Sequence, residues 1–376
     1  MSSKKAAKAK LPAAAAAPAA AAATAATLPA TAPSLVTVES FPFSGKVVEI
    51  DAKSTIGDAL GVLTSNHILS APVYDAQAKR YLGFFDLADV LALIYGVDLL
   101  RHIVPVSKLR DQIVDVHGIK LDLGYSRDAQ GTDLPVSAMM QVDGKIAPWW
   151  PVDPNAPLLN VVKRLAAKVD APWSSCRRVP VVDPATGKVV KIVSQSALVQ
   201  QVFKQVVEHQ ASEPLFIETP RTHGFGMTPV YCVKHDQFAR TAFELIINQR
   251  ISAVPVLGPQ GGLVAAITNK DIFLLHKMRA ADPKADDLLA MEFVEHARAL
   301  AKEAQQTRSE PVTVSVDTPI HVLVRVLAEK QTHRVFLVDK PDAPPVGIVS
   351  VSDIVKLILD EELPWPQSVV RFLHLI

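Results

Sequence analysis

Residues 318–339 read TPIHVLVRVLAEKQTHRVFLVD and residues 345–359 read PVGIVSVSDIVKLIL. This pattern of apolar helix, strand, turn, strand and helix occurs four times in the chain. The earlier copies begin with STIGDALGVLTSNHILSAPVYD at 54–75, APLLNVVKRLAAKVD at 156–170 and ARTAFELIINQRISAVPVLG at 239–258. An internal repeat determines the architecture, because one unit cannot bury its apolar face alone whereas packed neighbours can. The repeat also predicts clefts between copies where a ligand could bind.

The spacing inside the unit indicates one shared design. The end of the first long strand and the start of the last helix are 14, 14, 13 and 14 residues apart in the four copies. These positions are Asp75 and Asp89, Asp183 and Ala197, Gly258 and Asp271, and Asp339 and Asp353. We predict strand–helix–strand–strand–helix for each unit, since short apolar runs such as VPVV and VFLV are typical of buried strands.

Composition excludes several classes of protein. The chain has 376 residues, 49% hydrophobic and 20% charged, which is typical of compact folded proteins and allows two or three domains. A formal net charge of +1 gives no global basic field for nucleic acid. Two cysteines, Cys176 and Cys232, cannot build a disulfide framework and favour a reducing compartment. No apolar run approaches the ~20 residues that a membrane span needs.

The N-terminal segment, residues 1–33, differs from the rest. It is rich in Ala and Pro, carries four lysines and contains no acidic residue. Its prolines interrupt the helix that alanine favours. Two interpretations stay open: a solvated basic tail, or a transit peptide, although transit peptides favour Arg and this segment has none. We expect a cytoplasmic or nuclear protein, or a plastid protein if the tail is a transit peptide.

The domain organisation follows from the repeat. We predict a disordered tail at 1–40, copy one at 41–96, a connector at 97–146, copy two at 147–210, copy three at 211–280, a connecting helix at 281–309 and copy four at 310–376. The connecting helix is predicted from the Ala-, Glu- and Leu-rich stretch 285–308, and we expect it to lie across the outside of the second pair. Residues 223–226, His-Gly-Phe-Gly, are predicted to form a mobile loop bordering copy three.

With these repeats the chain resembles tandem cystathionine-β-synthase (CBS) domain proteins, in particular the gamma regulatory subunit of AMP-activated protein kinase and its plant and algal relatives. The resemblance runs from about residue 46 to the end and includes CRRVPVVDPATGK at 176–188 and THRVFLVD at 332–339. It implies an α/β (α+β) fold of four CBS repeats, paired into two Bateman modules packed as a disc.

The same resemblance implies a function. It describes a non-catalytic regulatory subunit that binds AMP, ADP or ATP between repeats and modulates a protein kinase of the AMP-activated class. The nucleotides would be regulatory ligands rather than catalytic cofactors. The implied partners are a kinase catalytic subunit and a scaffolding subunit, with no nucleic acid and no membrane span.

In that family an Asp at the start of the last helix holds the ribose hydroxyls, and a Ser or Thr three residues earlier helps to hold the nucleotide. The resemblance assigns these roles to Ser350 and Asp353 in copy four and to Thr268 and Asp271 in copy three. The chemistry suits them, because a carboxylate can accept two hydrogen bonds from a ribose diol.

The first two copies depart from this pattern. Copy one keeps Asp89 but has Asp86 in place of the hydroxyl, and we expect that extra negative charge to repel a phosphate. Copy two keeps Ser194 but has Ala197 in place of the carboxylate. We therefore expect the C-terminal pair of copies to sense the ligand.

The resemblance also implies which residues hold the phosphates. His333 and Arg334 match the family's His-Arg pair, and Arg177 and Arg178 stand in the same place in copy two. Ser252 stands where the family has a small polar contact. Arginine suits this role because its planar fork matches phosphate geometry.

Other positions weaken this phosphate cage. Leu69 replaces a basic residue, and Ser196 with Ala197 replaces a basic pair that normally reaches into the central channel. We therefore expect poor binding of triphosphates.

A structural explanation stands beside each assignment. Ser350 with Asp353, and Thr268 with Asp271, also form capping boxes, which satisfy a helix N-terminus without any ligand. His333 could be a hydrogen-bonded core histidine. Two consecutive arginines on a strand cannot both point inward. The alternative function is accordingly a nucleotide-independent CBS scaffold or interaction protein.

Motifs for enzymatic activity are weak. We find no acid–base pair or nucleophile arrangement, so no catalytic residue is predicted. Cys232 and His235 are three residues apart without further ligands nearby, so no metal site is predicted. An enzyme fused to regulatory repeats is disfavoured, since the repeats and the tail occupy nearly the whole length.

Overall fold

The computed structural model describes residues 37–41, 46–95, 113–116, 119–122, 135–140, 149–167, 176–208, 218–227, 229–303 and 310–359. Predictions for residues 1–36 of the tail, for most of the connector and for the end of copy four from residue 360 lie outside these residues. No helix within the described ranges is both long and apolar enough to cross a membrane.

All four copies build the same unit. In copies one, three and four a short first strand pairs in parallel with the second strand, which pairs antiparallel with the third. In copy two the described residues show one parallel bridge, Val152 to Val181, in place of the first strand, followed by an antiparallel hairpin. The predicted mixed α/β fold of four repeats is confirmed.

The element bounds, in the order first strand, first helix, second strand, third strand and second helix, are as follows. Copy one has Ile50–Asp51, Ile56–Ser65, Ser70–Asp75, Arg80–Asp86 and Leu87–Tyr95. Copy two has helix Leu158–Ala166, strands Arg178–Val182 and Val189–Ser194, and helix Gln195–Glu208. Copy three has Val233–Lys234, Ala239–Asn248, Ala253–Leu257, Leu263–Thr268 and Ile272–Ala281, the last preceded by a 3-10 turn, Asn269–Asp271. Copy four has Thr313–Ser315, Ile320–Glu329, Arg334–Val338, Gly347–Ser350 and Val351–Ile358.

Smaller elements connect the copies. The connector contains the strands Ile113–Val116 and Ile119–Asp122, which pair as a hairpin, and the short helix Val136–Met139. The short helix Pro220–His223 follows copy two, and Pro283–Asp287 forms a 3-10 turn before the helix Ala290–Glu303.

The first helix of every copy buries residues at positions i, i+3, i+4 and i+7, the apolar stripe of an amphipathic helix. These residues are Ile56, Ala59, Leu60 and Leu63; Leu158, Val161, Val162 and Leu165; Ala239, Ala242, Phe243 and Ile246; and Ile320, Leu323, Val324 and Leu327. The repetition of the same stripe explains why the four helices dock in the same way on their sheets.

The turn after the first helix is left-handed in three copies. His67, Arg250 and Gln331 occupy the same repeat position and have φ of 53°, 56° and 48°. Residues of this size are uncommon at positive φ. The corresponding residue of copy two lies outside the described part of the chain. This turn leads directly into the strand starts that line the central cavity.

The helices and the sheets join the copies in different combinations. Copies one and three share one hydrophobic core, and copies two and four share another. Between copies one and two, the Tyr81 hydroxyl accepts a hydrogen bond from the Val189 backbone N–H at 3.0 Å, and the Lys188 ammonium lies 3.3 Å from the centre of the Tyr74 ring. Copies three and four meet through the hairpin strands, where Ala253, Ala266 and Phe336 form a third cluster. Within each predicted pair, one–two and three–four, the two copies therefore contact each other through their sheets.

The connecting helix packs against copy three. It begins at Ala290 and buries Phe293, Val294 and Ala297 in the core shared by copies one and three. It packs against the helix Ala239–Asn248, the strand Leu263–Thr268 and the helix Ile272–Ala281 of copy three, which is one member of the second pair.

Two further segments pack against unexpected neighbours. Residues 37–41 place Val38 and Phe41 in the core of copies two and four, although position 41 was predicted as the start of copy one. The loop at 223–226 borders copy four rather than copy three, because the Gly226 carbonyl accepts a hydrogen bond from the Ile348 N–H at 2.9 Å.

Candidate functional site

A cavity of about 980 Å³ lies where the four copies meet, and we call it the central cavity. Eight of its described lining residues are Lys or Arg and two are Asp. A smaller cavity of about 440 Å³ lies between copies one, three and four. Lys270, His333 and Arg334 line both cavities. The two cavities therefore share one cationic wall.

The two intact Ser/Thr–Asp pairs lie on different cavities. Thr268 and Asp271 line the smaller cavity, whereas Ser350 and Asp353 line the central one. Each hydroxyl residue ends the third strand of its copy, and each Asp lies three residues later, in the turn that begins the second helix. The hairpin and the helix N-terminus thus deliver both groups to the edge of a cavity.

Both pairs form the capping boxes that the sequence allowed. The Asp271 Oδ2 accepts hydrogen bonds from the Thr268 N–H at 2.7 Å and from its hydroxyl at 3.1 Å. The Asp353 Oδ2 does the same for Ser350, at 2.9 and 2.6 Å. A carboxylate has about four acceptor sites. Capping and ligand contact are therefore compatible at both positions.

Four basic side chains from three copies surround His333. Burial, together with Lys270, Arg334, Arg178 and Arg177 in order of decreasing effect, lowers the pKa of His333 to about 3. The imidazole is therefore neutral at pH 7, and its Nδ1 lies 3.0 Å from the Ser196 hydroxyl. Ser196 was predicted to leave a gap in the basic lining, and the structure shows it bonded to the histidine instead.

The same charges act on one another. Burial, followed by Arg177, lowers the pKa of Arg334 to about 10, against the opposing effect of Asp271. Burial, followed by Arg334, lowers the pKa of Lys270. Such shifts mean that the charged forms are unfavourable in their present surroundings. An anion at this place would relieve that cost.

Arg178 has a carboxylate partner, Asp86, which opposes the lowering of the Arg178 pKa by burial. Its Nη1 lies 3.1 Å from the Asp86 Oδ2, and the side chains are only 18% and 4% exposed. The Asp86 Oδ1 accepts a hydrogen bond from the Ala88 N–H at 2.9 Å. Asp86 was expected to repel a phosphate, and the structure shows in addition that it pairs with one of the phosphate-binding candidates.

The CBS domain family matches residues 225–275 and 301–360, which lie mainly in copies three and four. The chain carries CBS domains in these two segments. The 5'-AMP-activated protein kinase subunit gamma-3 of Homo sapiens is 23% identical to it over 322 residues, which are 84% of this chain and 57% of the human protein. The corresponding gamma subunit of Dictyostelium discoideum is 24% identical over 327 residues, 85% of this chain and 50% of that protein. The homology with gamma subunits is thereby confirmed.

These relatives are longer proteins. The chain spans about half the length of the curated relatives that it matches. Among solved structures, protein MJ1225 of Methanocaldococcus jannaschii, proposed to be an archaeal homolog of g-AMPK, aligns with a TM-score of 0.61. The alignment covers 86% of this chain and 99% of that one at 14% identity, so it supports the fold alone.

The CBS repeats place the remaining candidates as follows. Arg177 precedes the strand Arg178–Val182, so strand alternation does not separate the two arginines, and both line the central cavity. Ser194 also lines it and accepts a hydrogen bond from the Ala197 N–H at 3.2 Å. Ser252 accepts a hydrogen bond from the Arg334 Nη2 at 2.8 Å. Asp89 is buried and lines neither of the two cavities.

Sequence reasoning missed Lys270. It directly precedes Asp271, at the repeat position that Ser196 and Ser352 hold in copies two and four. Alignment of the four copies was the signal in the sequence that could have identified Lys270 as a site residue. Because Lys270 lines both cavities, the cationic centre is richer than the loss of a basic residue at Ser196 suggested.

The cysteines and potential metal ligands give no second site. Cys176 and Cys232 are free, and burial raises the pKa of each to about 11, so both are thiols at neutral pH. Within the part of the chain that the structure describes, no group of three or more His, Cys, Asp or Glu is arranged to hold a metal ion.

Proposed function

We propose that the chain is a non-catalytic regulatory subunit that binds adenine nucleotides between its CBS repeats and modulates a protein kinase of the AMP-activated class. The carrying observation is the convergence of Arg177, Lys270 and Arg334 around the neutral His333, beside the carboxylates of Asp271 and Asp353. Homology with proteins named as gamma subunits of 5'-AMP-activated protein kinase supports the same choice.

The proposed binding uses each group for what its chemistry allows. The ribose diol donates to the carboxylate of Asp271 or Asp353, and each charge-assisted hydrogen bond contributes about 1.5–3 kcal/mol. The phosphates lie against Arg177, Arg334 and Lys270, whose positive charges favour an anion. The nucleotide stabilises one arrangement of the repeats, and the shift is limited by its difference in affinity between the two states.

The binding test is a thermal-shift and calorimetric series with AMP, ADP and ATP. Ligand at about a hundred times its dissociation constant adds about 2.7 kcal/mol to the free energy of unfolding. Asp271→Asn and Asp353→Asn should each weaken binding by about tenfold or more, since each removes a charged acceptor.

The chain offers a matched control. Asp58 forms the same kind of capping box with Thr55, at 3.0 Å from the Asp58 N–H to the Thr55 hydroxyl, and it lines neither cavity. Asp58→Asn should therefore leave nucleotide affinity unchanged. Equal losses in all three variants would refute the ribose role, and no response to any adenine nucleotide would refute the sensor.

Kinase modulation needs its own test. The chain is mixed with a catalytic and a scaffolding subunit of an AMP-activated kinase, and co-purification and kinase activity are measured with and without AMP. We expect a stable complex whose activity depends on AMP in the wild type and does not in the Asp271→Asn/Asp353→Asn variant. Failure to co-purify would remove the kinase from the proposal.

A second candidate is a nucleotide-independent CBS scaffold. It is favoured by the closed capping boxes of Thr268–Asp271 and Ser350–Asp353, which satisfy both helix N-termini without a ligand. A scaffold keeps its partner binding in the Asp-to-Asn variants and shows no nucleotide effect in any of them.

A further inference from the structure

The four copies present the same cross-strand pair at the edge of the cavities, with different chemistry in each. In copies two and four an arginine lies opposite a serine, Arg178 opposite Ser194 and Arg334 opposite Ser350. In copy one Ser70 lies opposite Asp86, and in copy three Ala253 lies opposite Thr268. Asp86 and Thr268 are therefore equivalent positions, and so are Arg178 and Arg334.

The two arginines consequently face different partners. In the C-terminal pair, the Arg334 Nη2 donates to the uncharged Ser252 hydroxyl of copy three. In the N-terminal pair, the Arg178 Nη1 donates to the Asp86 carboxylate of copy one at 3.1 Å. The first contact is a hydrogen bond to an uncharged group, whereas the second is an ion pair with a carboxylate.

The surroundings make the Asp86–Arg178 pair hard to displace. The Asp86 side chain is 4% exposed, and its Oδ1 is already held by the Ala88 N–H. A phosphate that bound Arg178 in place of Asp86 would leave this buried carboxylate without its counter-ion. Breaking a buried ion pair in this way costs more free energy than breaking an exposed one.

We propose that Asp86 is an internal substitute for a ligand phosphate. Its carboxylate holds Arg178, joins copies one and two without a ligand, and closes that guanidinium to nucleotide phosphates. Phosphate binding is thereby left to the other basic residues of the two cavities, among them Arg177, Lys270 and Arg334. The nucleotide part of this inference rests on the function proposed above.

The experiment measures binding of AMP and of inorganic pyrophosphate to the full chain by isothermal titration calorimetry. Asp86→Asn keeps the shape and an oxygen for the Ala88 N–H but removes the charge. It should bind pyrophosphate about tenfold or more tightly than the wild type, the effect of one charge-assisted hydrogen bond. In the double variant Asp86→Asn/Arg178→Gln this gain should disappear.

A reciprocal exchange uses the repeat itself as a control. Asp86→Thr reproduces copy three and should give the same gain, which keeps the test valid if Asp86→Asn does not fold. Thr268→Asp places a carboxylate at the equivalent position of the C-terminal pair, opposite Arg334. It should weaken AMP and pyrophosphate binding by about tenfold or more.

The outcomes separate the two proposals. Wild-type pyrophosphate affinity in both folded Asp86 variants, or a gain that persists in the double variant, overturns the role of Asp86. If the Asp86 variants gain pyrophosphate binding while no variant responds to AMP, the proposal that Asp86 substitutes for a phosphate is supported and the proposal that the chain binds adenine nucleotides is refuted. If AMP binds the wild type but the Asp86 variants gain nothing, the reverse holds.

Discussion

Acid should destabilise this protein through His333, and the size of the effect follows from its surroundings. The pKa of the imidazole is about 3 in the folded chain, below its ordinary value of 6.5, because of burial and the neighbouring Lys270, Arg334, Arg178 and Arg177. Between these two values the unfolded chain binds a proton that the folded chain does not. Stability is therefore complete above the unfolded pKa and falls as the pH drops through this window.

The magnitude can be worked out. From about pH 7 to about pH 5, a shift of this size removes about 2 kcal/mol from the free energy of unfolding. Because the side chain is only partly buried, solvent screening reduces this figure, and we expect about 1 kcal/mol. His333→Gln lacks the titrating group. Its free energy of unfolding should therefore fall by about 1 kcal/mol less than that of the wild type over the same pH range.

Urea denaturation at both pH values is the assay, and the comparison uses the difference between pH values rather than the absolute stability. His296→Gln is the control, since His296 is an exposed histidine on the connecting helix. Equal pH dependence in His333→Gln and in the wild type would refute the reasoning. So would an NMR titration that finds the His333 pKa near its ordinary value.

Two further predictions concern packing. Gly262→Ala should lose about 1–3 kcal/mol of stability, because a Cβ there would overlap the Asp342 backbone between copies three and four. Gly61 lies on the exposed face of the helix Ile56–Ser65, and a Cβ there would meet no atom within 4 Å, so Gly61→Ala should gain about 0.5–1 kcal/mol. Chemical denaturation that ranks the two variants the other way would contradict both expectations. Phe243→Ala should lose about 3–5 kcal/mol from the core shared by copies one and three, and a loss below about 1 kcal/mol by the same assay would show that this core does not stabilise the fold.

Local patterns allowed much of the fold to be predicted. The apolar stripe of each first helix and the apolar hairpin strands lie within a few residues of one another, so periodicity alone indicates them. The connecting helix was also predicted, but not the core that its apolar face joins, because an amphipathic stretch does not say which core that will be.

Some residues of the candidate site were predicted from local spacing, and others were not. The capping boxes of Thr268 with Asp271 and of Ser350 with Asp353 join residues three apart, and their spacing predicted them. Lys270 was missed because a single basic residue beside a motif has no distinguishing pattern until its copy is placed against the others.

The sequence by itself determined the repeated unit, the order of its strands and helices, and which copies keep a hydroxyl–carboxylate pair. Only the tertiary structure decided which charges meet. Asp86 and Arg178 are 92 residues apart, Ser252 and Arg334 are 82 apart, and Ser196 and His333 are 137 apart. Packing of the four copies brings these pairs to hydrogen-bonding distance. Because electrostatic energy depends on separation and desolvation rather than on residue type alone, the same arginine position pairs with a carboxylate in one pair of copies and with a hydroxyl in the other.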